Sequence, residues 1–77
     1  MTDDLPVLDL RGVKCPANAA RALLRLETME AGERLAILLD PGEPTESVPA
    51  ALTLEGHRVV ATTDCKDHWR LVAEARG

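Results

Sequence analysis

The stretch Leu8-Asp9-Leu10-Arg11-Gly12-Val13-Lys14-Cys15-Pro16 decides how this chain is read. Before it, Val7 to Leu10 is a short apolar run with strand character. Pro6 fits only at the start of that strand, because proline cannot donate to a sheet ladder. After it, Pro16 to Glu30 has helical periodicity. The link passes through Gly12, which supplies a turn conformation that other residues resist, and Asp9, whose carboxylate caps or orients the loop. Cys15 then falls at the N-cap, with Pro16 at the first helical position, where a missing N–H is no loss. In that placement the thiol accepts from the N–H groups of Ala17 and Asn18 and faces the positive end of the helix dipole. Both favour thiolate over thiol. The reading predicts one activated sulfur.

Working outward, Ala19, Ala20, Ala22, Leu23, Leu24, Leu26 and Met29 form a wide apolar stripe on the first helix. Arg21, Arg25 and Thr28 share the opposite side, and Gly32 is placed to terminate. Leu35 to Leu39 is a continuous apolar run ended by Asp40-Pro41-Gly42, as in a well-covered strand. A second helix is expected to run to about Glu55, capped by Thr45 or Ser47 and starting late because Pro49 belongs in a first turn. Val48, Ala51, Leu52 and Leu54 are its candidates for the inner face, and Gly56 ends it. His57 to Thr63 alternates, Asp64-Cys65-Lys66-Asp67 breaks, and His68 to Ala75 alternates again, which describes a hairpin. Its Trp69, Leu71, Ala73 and Ala75 share one side.

The order is β-α-β-α-β-β. Right-handed crossovers put both helices on one face of a four-stranded mixed sheet, giving an α/β (α+β) two-layer sandwich in one domain spanning residues 1–77. The other sheet face is left open, as partner surfaces often are. The carboxyl ends of the first three strands point one way, so the loops carrying Cys15 and Cys65 share one rim, where open α/β sheets place their sites.

Composition limits the chemistry. The 77 residues include one aromatic side chain, Trp69, so the core is built from Leu, Val, Ala and Ile and has little room to enclose a large substrate. A net charge of -4 without a basic run disfavours nucleic acid. Arg11, Lys14, Arg21 and Arg25 nevertheless gather around Cys15 in sequence, the setting a low-pKa thiol needs. Two cysteines are too few for a disulfide scaffold. No apolar segment is long enough to cross a bilayer, no secretory leader is visible, and a reducing cytoplasm is expected. The histidines and cysteines lack metal-ligand spacing, so neither metal nor cofactor is expected.

Asp9, Gly12 and Cys15-Pro16 opening a helix, in a chain of this order, resemble the TusA/SirA-like sulfur-carrier family. The family pattern is an Asp, a spaced Gly and Cys-Pro-x-Pro. Here Asn18 replaces the second proline, and Gly42-Glu43-Pro44, Val48-Pro49 and Glu55-Gly56-His57 fit a Cys-Pro-x-Asn branch. The resemblance implies a βαβαββ sandwich like the C-terminal domain of bacterial initiation factor three, and a persulfide on Cys15. It also implies a donor, a cysteine desulfurase or rhodanese-like protein, and an acceptor protein. Such a carrier straddles the definition of an enzyme.

Around Cys15, the residues expected to support the thiolate are Pro16, Ala17, Asn18, Arg11, Lys14, Asp9 and Gly12. Arg21 and Arg25 are either a solvated helix face or a docking patch. Cys65 is either an incidental turn residue or a resolving thiol. Two alternatives stay open: a non-catalytic protein-binding or regulatory module, and a dithiol redox protein using Cys15 and Cys65. His57 and His68 read as strand surface residues.

Overall fold

A computed structural model describes residues 5–76. The elements are β1 (Val7–Asp9), α1 (Ala17–Glu27), β2 (Arg34–Leu39), α2 (Pro44–Leu54), β3 (Arg58–Asp64) and β4 (Trp69–Glu74). The sheet order is β1-β2-β4-β3. β1 runs parallel to β2, and β4 is antiparallel to both β2 and β3. The carboxyl ends of β1, β2 and β3 therefore point the same way, and the sheet is mixed as expected.

One sheet face carries the core. Register pairs Leu35 with Ala73, Ile37 with Leu71 and Leu39 with Trp69. Those residues pack with Ala22 and Leu26 of α1 and Val48 and Leu52 of α2. Both helices thus cover one face, in two layers. Each fully buried Leu or Ile contributes about 1.5–3 kcal/mol through removal of apolar surface from water. The other face pairs Arg34 with Glu74 and Glu74 with Arg58. Their side chains bridge at 3.4 and 3.8 Å. A bulge between Val59 and Ala61 shifts the β3 register.

Three local expectations are corrected. The stripe on α1 is narrower than its sequence suggests: Ala22 and Leu26 are buried, but Ala20 is exposed and Leu24 is 69% exposed. A helix resting on a flat sheet presents about one third of its circumference to it, so positions at the stripe's edge fall outside. α2 starts early, at Pro44, and holds Pro49 within it. Its first turn is closed by Thr45 and Glu46 N–H groups donating three residues back, to Gly42 and Glu43. Pro49 then forfeits one helical bond rather than a turn, while the buried Val48 and Leu52 hold the helix to the sheet. Leu54 faces water at 84% exposure, at the end of that helix.

His57 is also not a surface residue: it is buried. Its backbone N–H donates to the Leu52 carbonyl at 3.0 Å. Its Nδ1 accepts the Arg76 N–H at 3.1 Å, which ties the end of β4 to the end of α2.

Candidate functional site

The link from β1 to α1 is a tight turn. Val13 N–H donates to the Leu10 carbonyl at 3.1 Å, and Gly12 at the third position has φ +81. That positive φ is what a type II turn demands. Asp9 accepts the Arg11 backbone N–H at 3.0 Å, and its other oxygen pairs with the Arg11 guanidinium at 2.8 Å. Gly12 N–H donates to Asp40 Oδ2 at 2.7 Å, fastening this turn to the end of β2. Asp40 was outside the expected site. Its signal was positional: it is the first residue past a buried strand, at the same sheet edge.

Gly12 has no atom within 4 Å of where a Cβ would stand. Replacement by alanine therefore meets no clash, only the left-handed backbone. Gly12→Ala is expected to lower stability by about 1 kcal/mol, read from the urea midpoint at unchanged slope.

Arg11 holds the Asp9 carboxyl down from the ordinary 3.8 to about 2, first through the side-chain hydrogen bond and then through the backbone one. Asp67 is likewise lowered, chiefly by its bond to His68. Arg11 also feels Asp67, and Asp9 feels His68. The β3–β4 turn thus lies on the same rim as the Leu10–Val13 turn, as the topology predicted. For Asp9 the folded value is the depressed one. Its contribution to stability is complete above about pH 4 and is lost as pH falls through about 2. Arg11→Gln is expected to move the Asp9 midpoint back toward 3.8 in a carboxyl-carbon NMR titration, with the backbone bond and His68 still opposing it.

Cys15 is exposed and its thiol is free. It precedes the helix by one residue more than expected. Pro16 is the N-cap, no side chain caps the helix start, and the Cys15–Pro16 peptide is cis. The Asn18 N–H does not serve the sulfur: it donates to the Lys14 carbonyl at 3.1 Å. A backbone acceptor four residues back competes with any side-chain cap, and here it wins. The expected N–H bond from Asn18 to Cys15 is therefore corrected. Arg11 is committed to Asp9, which leaves Lys14 and Arg21 as the exposed cations nearest Cys15 in sequence, with Arg25 half-buried.

Cys65 is a free, half-buried thiol that donates to the Thr63 carbonyl at 3.8 Å. The strands leading to the two cysteines, β1 and β3, form opposite edges of the sheet. Three strand spacings separate those edges by roughly 14 Å.

Fold and site together define a small two-layer α+β domain that exposes a cysteine just ahead of its first helix. Residues 7–74 match the family model described as sulfurtransferase TusA, and the chain belongs to that family. A relative from Archaeoglobus fulgidus, named "Putative sulfur carrier protein", is 38% identical over 55 residues, covering 71% of this chain. The match covers 62% of that relative's own length.

Proposed function

We propose that this protein is a sulfur carrier that accepts sulfane sulfur as a persulfide on Cys15 and relays it to an acceptor protein. The observation that carries the reading is the exposed Cys15 thiol ahead of α1, in a chain of the sulfurtransferase TusA family. The name of the archaeal relative agrees with it.

The chemistry is thiol exchange. The Cys15 thiolate attacks the terminal sulfur of a donor persulfide, R–S–SH. A bond forms between Sγ and that sulfur, the donor's S–S bond breaks, and its electron pair leaves on the donor thiolate. The proton stays on the transferred sulfur, and nothing is oxidised or reduced overall. Discharge to an acceptor thiolate is the same step reversed. Accessibility is essential, since the attacking partner must approach in line with the donor S–S bond.

The donor is a persulfide-bearing protein, of the cysteine desulfurase or rhodanese-like kind, and the setting is the cytoplasm. Exposed Lys14 and Arg21, with Arg25 beside them, are the candidates for docking an acidic partner surface. Among the described residues no helix is long and apolar enough to cross a membrane. The test is intact mass after incubation with glutathione persulfide: the protein gains one sulfur atom, and a reducing thiol removes it. Failure to gain that mass overturns the proposal. Loss of two hydrogens on mild oxidation, dependent on Cys65, supports a dithiol redox protein in its place.

A further inference from the structure

The first turn of α1 buries a polar side chain, Asn18, which with His57 makes up the buried polar residues among those described. Asn18, three residues after the exposed Cys15, is fully buried. Its Oδ1 accepts the Ala19 N–H at 2.6 Å, while its Nδ2 is buried with no partner. An orphaned buried donor costs about 1–3 kcal/mol, so stability alone does not favour this residue here.

Its main chain closes the turn that carries Cys15. The Asn18 N–H donates to the Lys14 carbonyl at 3.1 Å, a bond that spans Cys15, Pro16 and Ala17. The Ala20 N–H follows with a bond to the Pro16 carbonyl at 3.1 Å. Neither Cys15 nor Pro16 contributes a side-chain cap. The buried carboxamide therefore satisfies a first-turn N–H from inside the fold, while Cys15 stays exposed.

We infer that Asn18 is the positioning residue of Cys15: its buried carboxamide anchors the first turn of α1, and its own N–H, held on the Lys14 carbonyl, fixes the turn that presents the thiol. This rests on the reading of Cys15 as the sulfur site. The unpaired Nδ2 is the cost of using an amide oxygen at that depth. A cap of the usual kind, on the solvent side, would occupy the space through which a donor persulfide must approach.

The test has two parts. In the wild-type protein, the Asn18 amide is expected to exchange its hydrogen at least about 10-fold more slowly than unstructured backbone. In Asn18→Ala, that protection falls while protection in β4 is retained, and sulfur uptake from glutathione persulfide slows roughly 10-fold, as a misplaced reacting atom requires. Asn18→Ser, which restores an oxygen acceptor, recovers part of the rate. A rate loss from global destabilisation would lower β4 protection as well, which separates the two. Sulfur uptake by Asn18→Ala at the wild-type rate overturns the assignment, as does free exchange at the wild-type Asn18 amide. Should wild type take up no sulfur at all, the carrier reading falls, and exchange alone then judges whether Asn18 holds the turn.

Discussion

Cys15→Ser is expected to abolish sulfur uptake completely, with the mass gain after glutathione persulfide falling from one sulfur atom to none. The reason is chemical. A serine hydroxyl is un-ionised near neutral pH and forms no persulfide, whereas a thiolate attacks a sulfane sulfur directly. Stability is expected to change by less than about 0.5 kcal/mol, because Cys15 is exposed and serine is nearly its size. A loss of uptake with an unchanged melt therefore identifies the atom rather than the scaffold. Cys65→Ser supplies the counterpart. Its thiol is half-buried and bonded to the Thr63 carbonyl of β3, so uptake is expected to persist there. If Cys65→Ser abolishes the gain and Cys15→Ser does not, the sulfur site has been assigned to the wrong loop. If each variant halves it, both thiols take sulfur independently and the single-site reading fails.

Much of the scaffold was legible in the sequence because its signals are local and periodic. Trp69, Leu71, Ala73 and Ala75 alternate as a strand with a buried side should, and Leu71, Ala73 and Ala75 are buried, although Val72 on the opposite side is buried too. Gly12 and Gly56 sit where the backbone turns left-handed, at φ +81 and +91. What was not legible depends on competition between partners. Cys15 and the Lys14 carbonyl both lie within reach of the first-turn N–H groups, and spacing alone does not say which takes them. Arg11 reads as one cation of a cluster until its guanidinium is found two residues back on Asp9.

Burial set by distant chain was equally hidden. His57 looks like the polar start of a strand, yet its acceptor role is for an N–H 19 residues later. The helix stripe also misled, because hydrophobicity at Leu24 and Leu54 says nothing of where the sheet ends. In the sequence Asn18 reads as a backbone N–H donor that a second proline would lack. Its burial and its orphaned Nδ2 emerge only from packing.

Leu71→Ala is expected to produce the largest loss of stability among these variants. β4 lies between β2 and β3, and Leu71 stands at its middle, 1% exposed, paired with Ile37 on one side and Thr62 on the other. Truncation there removes apolar contact from both helices' footing and leaves a cavity that strands paired on either side cannot close. The expected cost is about 2–5 kcal/mol. A domain of 77 residues has roughly 4–12 kcal/mol in total. The variant should therefore melt at least about 10 °C lower and be partly unfolded when warm. Leu54→Ala is the control: the same atoms are removed from a side chain 84% exposed, and the change is expected within about 0.5 kcal/mol. Equal urea midpoints for the two variants would contradict the layering of the core. The folded fraction of Leu71→Ala should still take up sulfur, since no core atom enters the exchange step. Uptake that scales with the folded fraction separates what holds the domain together from what the thiol does.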